Sequence, residues 1–113
     1  MRVKLSGSVE IVEALEAAAK TTSSVSVEGP PQRNESAELR LGVAEVITIV
    51  VLIKDIAELA KLCWEGIQVL RTHSTKQKLI PLEFTTPSRL ARVEVALDST
   101  RDQVEELFTR SLS

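Results

Sequence analysis

Apolar and polar side chains alternate over residues 2–6, with Val3 and Leu5 on one side, and a period of two predicts a short strand. Gly7-Ser8 breaks the alternation, and Ser8 is a residue type that caps helices. Over 9–20 the apolar positions Ile11, Val12, Leu15, Ala18 and Ala19 share one stripe, which predicts an amphipathic helix. Alternation returns over 24–28, with Val25 and Val27 facing one way, and predicts a second strand. Towards the other end, residues 77–85 place Ile80, Leu82 and Phe84 on one face. Residues 90–97 place Val93, Val95 and Leu97 on one face and Arg92 and Glu94 on the other. With Thr86-Pro87-Ser88-Arg89 as the turn, these two runs predict a hairpin. Pro81 cannot donate a ladder hydrogen bond, which assigns its strand to a sheet edge. Asp98, Ser99 or Thr100 then caps a final helix with Val104, Leu107, Phe108 and Leu112 as its stripe.

The middle of the chain is dominated by apolar residues. Residues 29–36 form a polar, Pro-containing loop by composition. Residues 37–41 fit two elements: Ala37, Leu39 and Leu41 alternate as in a strand, yet the same residues make a first helical turn with Ser36 as its cap. Residues 43–71 hold no proline and a single glycine, Gly66, and read as one long helix. Its seam is Val46, Ile49, Ile53, Ile56, Ala60, Cys63, Ile67 and Leu70, spaced alternately three and four apart as in a heptad repeat. Such a helix would span roughly 43 Å, against a radius of gyration near ~13 Å for a globule of this size. Three readings follow. A membrane span is disfavoured, because Lys54, Asp55, Glu58, Lys61 and Glu65 interrupt the apolar run. The helix is otherwise the backbone of the domain's own core, or it docks one end on the sheet and packs the rest on a second copy or a partner helix. The overhang favours the last, and with it a homo-oligomer, most simply a dimer.

Composition narrows the function classes. At 113 residues and 43% hydrophobic content the chain is one domain able to bury a core. A net charge of −2 offers no basic field for a phosphate backbone, so nucleic acid is not an expected partner. One cysteine, Cys63, excludes an intramolecular disulfide and suits a reducing, cytoplasmic setting. One histidine, His73, is too few for a zinc site of the usual composition. The early Glu10, Glu13 and Glu16 interrupt any secretory apolar run. Neither phosphate-binding glycine motif is present. His73 falls at the predicted helix C-terminus, where a protonated ring suits the helix dipole, and Cys63 sits on the apolar seam. No catalytic residue, metal ligand or cofactor site is assigned.

The segments MRVKLSGSVEIVEALEAA, SVSVEGPP, LGVAEVITIVVLIKDIAELAKLCWEGIQVL and VEVALDSTRDQVEELFTRSL follow one another as strand and helix, strand with a Pro-Pro loop, long apolar helix, and strand leading into a capped helix. In that order the chain resembles the effector-associated constant component family of bacterial conflict systems. The resemblance covers nearly the whole chain. It departs from the family's small-residue-rich, glycine-containing central helix, since the stretch here is rich in Ile and Val. What it implies is a small non-enzymatic component working beside an effector protein, with no catalytic residues.

The expectation is therefore a single α+β domain over 1–113, in the order β-α-β-(β)-α-β-β-α. One sheet of four to five strands carries one long central helix and two shorter ones. Its expected function is a non-catalytic protein-interaction component, homo-oligomeric and partnering an effector in a bacterial defence or signalling system. The alternative is a ferredoxin-like, small-ligand-binding regulatory domain, which on this reading needs 37–41 to be a strand.

Overall fold

In chain order the elements are β1 (Arg2–Ser8), α1 (Val9–Lys20), β2 (Ser26–Arg33), α2 (Glu35–Leu41), β3 (Val46–Leu52), α3 (Ile56–Arg71), β4 (Leu79–Thr85), β5 (Leu90–Ala96) and α4 (Arg101–Leu112). The computed structural model describes residues 1–22, 24–72 and 78–112. All five strands form one antiparallel sheet in the order β2-β3-β1-β4-β5, and the fold is α+β. Leaving α2 aside, the run β1-α1-β2-β3-α3-β4 with sheet order β2-β3-β1-β4 is the split βαβ arrangement of ferredoxin-like domains. The hairpin strand β5 and helix α4 extend it.

The long helix expected over 43–71 is two elements. Residues 46–52 are the strand β3, and the helix begins only at Ile56. The sequence VITIVVL explains why: every residue but Leu52 is β-branched, a type stiff at χ1 and suited to a pleated surface. β3 is paired on both edges, by β1 and β2, and Val46, Ile49 and Val51 are all buried. Val46 lies on the opposite face from the other two, so this end of the strand is covered on both sides and shows no clean alternation. The break before α3 is made by Asp55, whose carboxylate accepts from the Glu58 N–H at 2.9 Å, while Glu58 accepts from the Lys54 N–H at 2.8 Å. At 16 residues α3 is about 24 Å long, which fits inside a molecule of 31 × 29 × 26 Å. The overhang that motivated a partner for a long helix does not exist.

Other expectations are settled in the same way. Residues 37–41 are helical and belong to α2, which is capped by Asn34 accepting from the Ala37 N–H, not by Ser36. The split βαβ order needs no strand there, because β3 supplies it. The loop expected over 29–36 is largely the second half of β2, whose register with β3 is broken between Glu28 and Gln32. The Pro81 strand, β4, is interior, flanked by β1 and β5. The missing donor is tolerated because β1 pairs with β4 only from Lys4–Thr85 to Ser6–Glu83, and Pro81 lies beyond the last rung. α4 starts where Thr100 and Gln103 exchange capping hydrogen bonds.

Strand alternation sends Val3, Leu5, Ile49, Val51, Leu82 and Phe84 to one face of the sheet, where α1, α3 and α4 cover them. Phe84 and Phe108 meet edge to face with centroids 4.8 Å apart, fastening α4 to β4. α1 and α3 cross where α3 has no side chain: a Cβ on Gly66 would sit 2.7 Å from Leu15 Cδ2 and 3.4 Å from Leu15 Cα. Arg71, at the end of α3, donates to the carbonyls of Leu97 and Ser99 and so ties α3 to the β5–α4 link. Gly66→Val should force α1 and α3 apart around the fully buried Leu15, at a cost of about 1–3 kcal/mol from overpacking. Urea unfolding should show the midpoint falling accordingly.

Candidate interaction surface

The eight seam residues do not line one helix. Val46 and Ile49 lie on β3, Ile53 follows it, and Ile56, Ala60, Cys63, Ile67 and Leu70 are on α3. Seven are buried within the chain and Ile56 is partly buried. Val46 is on the opposite face of the sheet from the rest, since it stands opposite Ser8 while Ile49 stands opposite Leu5. The seam is this chain's own core, and of its eight residues only Ile56 keeps part of its surface exposed.

Cys63 is fully buried, and burial pushes its thiol well above the ordinary value of 9.0. His73 lies outside the described residues. No cluster of three or more His, Cys, Asp or Glu side chains with metal-binding geometry occurs among the described residues. No described helix is long and apolar enough to cross a membrane.

Two surface features remain. The first is an open groove of about 610 Å³ along the outer side of α1 and α3, with Thr21, Thr22, Lys61, Trp64, Glu65 and Gln68 among its walls. Thr22 donates to Glu65 at 3.2 Å, and Gln68 Oε1 accepts from Arg71 at 3.3 Å. Gln68 Nε2 is enclosed and has no hydrogen-bond partner among the described residues. The groove suits a polar molecule carrying an acceptor.

The second is the outer face of the sheet with its two edges. α2 crosses this face over β3, β1 and β4 and is fastened by charge. Arg40 donates to both carboxylate oxygens of Glu83, at 2.8 and 2.7 Å. Glu83 is 4% exposed and Arg40 44% exposed, so the carboxylate is desolvated and the guanidinium is its compensation. The same hydrogen bond holds the Arg40 guanidinium above its ordinary pKa. Arg92 on β5 donates to the Arg40 carbonyl, and Asn34 donates to Thr48 at 3.0 Å. Around α2 the face leaves Leu52, Leu79 and Leu90 exposed, and on α2 itself Leu39 is 89% exposed.

The edges differ. β2 is interrupted by Gly29-Pro30-Pro31, with Gly29 at φ +70°, and its register shifts there. Proline and bulges are how sheets blunt an edge. β5 has no proline and no bulge, and all seven of its residues pair in one unbroken register with β4. Its ladder is bounded by the hydrogen bonds Leu97 N–H to Lys78 and Thr86 N–H to Arg89. Antiparallel pairs alternate, so Ala91, Val93 and Val95 direct their N–H and C=O groups at β4. Leu90, Arg92, Glu94 and Ala96 direct theirs away from the sheet, and no described strand pairs with them. Reading Arg92 and Glu94 as the polar side of a hairpin strand was possible from alternation alone. That their backbones form an open edge depends on strand order, which alternation does not carry. Glu83 was hidden likewise, since its partner Arg40 is 43 residues away.

Compared with family models, with curated proteins and with solved structures, the chain matches none.

The burial of Cys63 has two measurable consequences. A small alkylating reagent should react slowly with the native chain and rapidly with the unfolded one. Above pH 9.0 the unfolded thiol gives up its proton while the folded thiol keeps it, so stability falls as pH rises. Relative to Cys63→Ala, the wild type should lose up to about 1.4 kcal/mol per pH unit in that range. Denaturant titrations of both proteins from neutral pH to above 10 would measure the difference.

Proposed function

We propose that this chain is a non-catalytic protein-interaction component that takes a partner by strand addition to the β5 edge. The observation that supports this most is the asymmetry of the sheet: one edge is broken by Gly29-Pro30-Pro31, and the other presents a regular seven-residue strand with outward-directed backbone groups. A partner strand gains its affinity from those main-chain groups and its specificity from Leu90, Arg92, Glu94 and Ala96 on the outer face. The resemblance to the effector-associated constant component family supplies a setting, a small component beside an effector protein in a bacterial defence or signalling system.

A small-ligand-binding regulatory domain is the second reading. The ferredoxin-like strand order and the Gln68 Nε2 in the α1–α3 groove, which has no hydrogen-bond partner among the described residues, favour it. It and the first reading use different surfaces.

Glu94→Pro separates docking from folding. The Glu94 N–H points away from β4, so proline removes an edge donor and leaves the β4–β5 ladder whole. The variant should keep the wild-type circular dichroism spectrum and melting temperature. It should lose whatever the wild type associates with, whether copies of itself or a co-purifying protein. An association profile identical to wild type by sedimentation and by co-purification overturns the reading.

A further inference from the structure

We infer that the occupant of the β5 edge is β5 of a second copy, in antiparallel register about a dyad at Val93, joining two five-stranded sheets into one of ten strands. The inference rests on the edge-docking reading above and names its partner.

The backbone restricts the choice first. Leu90, Arg92 and Glu94 present free N–H and C=O groups and Ala96 a free N–H, its carbonyl already accepting from the Ser99 N–H at 3.0 Å, so a hydrogen-bonded rung must join two of these four. Near the middle of the strand three symmetric registers satisfy this. One sets Arg92 opposite Arg92 of the second copy. One sets Glu94 opposite Glu94 of the second copy. The third, with the dyad at Val93, sets Arg92 opposite Glu94 of the second copy and, by symmetry, Glu94 opposite its Arg92. Directly opposed like charges are destabilising across strands, and opposite charges are favourable. The third register alone makes both charged rungs favourable.

The apolar residues agree with that register independently. Leu79 stands opposite Ala96 within the chain. In the Val93-centred pairing, Leu90 of the second copy stands on the other side of Ala96. Leu79 and Leu90, 54% and 56% exposed in the single chain, then flank one small alanine on the same face and cover each other across it. The contact occurs twice, as isologous pairing requires. On the helix-covered face Val93 meets its own copy and Ala91 meets Val95, continuing the apolar row beside α4. Arg92 reaches its rung while donating one N–H to the Arg40 carbonyl, because a guanidinium has five donors.

The test is a charge exchange read by analytical ultracentrifugation of the full chain over a concentration series, with melting curves to verify folding. The wild type should form a dimer. Glu94→Arg sets arginines opposite each other on both charged rungs and should weaken dimerisation by roughly tenfold or more. The double variant Arg92→Glu with Glu94→Arg restores opposite charges and should return the dissociation constant to near the wild-type value. Arg92 also holds α2, so Glu94→Arg is the single variant on which the result turns. A wild type that stays monomeric overturns the second-copy inference. The edge-docking reading then still stands if a co-purifying protein is lost in Glu94→Pro. A dimer indifferent to Glu94→Arg, or one the double variant fails to restore, overturns the Val93 register.

Discussion

The pairing of β1 with β3 is the constraint on which the other elements depend. It holds residues at the two ends of a segment about half the chain in length, and every residue of both strands takes part. Ile53 and Met1 close its end, with the Ile53 N–H donating to the Met1 carbonyl at 2.9 Å. Once it forms, α1 must cross the sheet to deliver β2 to the far side of β3. α3 must cross back to deliver β4 to the free side of β1. Both crossings fall on one face, so the two helices must pack on each other, and Gly66 lets them approach closely at Leu15. Folding must pay the loop-closure entropy of this non-local contact before the helices gain their burial, which makes such topologies slower to form than helical bundles.

Elements with a one-sided environment were legible in the sequence. α1, β5 and α4 each bury one face and show the period of their backbone, and β1 and β4 keep their large apolar side chains on one face although Ser6 and Glu83 are buried on the other. The central strand was not legible because its environment is two-sided. Val46 is covered from the α2 side and Ile49 and Val51 from the α1 side, so the run 46–52 is apolar throughout and its residues fit a helical spacing by coincidence. Two local signals did mark the boundary: six β-branched residues in seven, and Asp55 three residues before Glu58. They outweigh a heptad pattern because they report on backbone geometry, whereas an uninterrupted apolar run reports only on burial. The 29–36 segment failed for the converse reason. Its prolines describe a strand that is poorly paired, and poor pairing at an edge resembles a loop in composition.

The surface was less legible than the core. Leu79 and Leu90 look like ordinary ends of hairpin strands, and only the order of strands puts them at an open margin. The Arg40–Glu83 pair was beyond reach for a related reason. Glu83 faces away from the main core, where a carboxylate in an alternating strand is expected to meet water. It meets α2 instead, and 4% exposure makes the carboxylate dependent on one cation. α2 is therefore a short helix held on the sheet by a charged fastening, by the Arg92 hydrogen bond to the Arg40 carbonyl and by the Asn34–Thr48 hydrogen bond more than by apolar area, with Ala37 its one buried side chain. The apolar content that would have made it visible as a packed element faces solvent at Leu39.

The kink that Gly29-Pro30-Pro31 puts into β2 limits more than that edge. A sheet open at both margins is divalent, and divalent units that join edge to edge grow into fibrils. With β2 blunted, each chain has a valence of one at its sheet margins. In the inferred dimer a single symmetric contact uses that valence up, and growth stops at two. On the second-copy inference, an unbroken strand at 26–33 would add a second open margin and with it a route to edge-to-edge growth, which the two prolines close off.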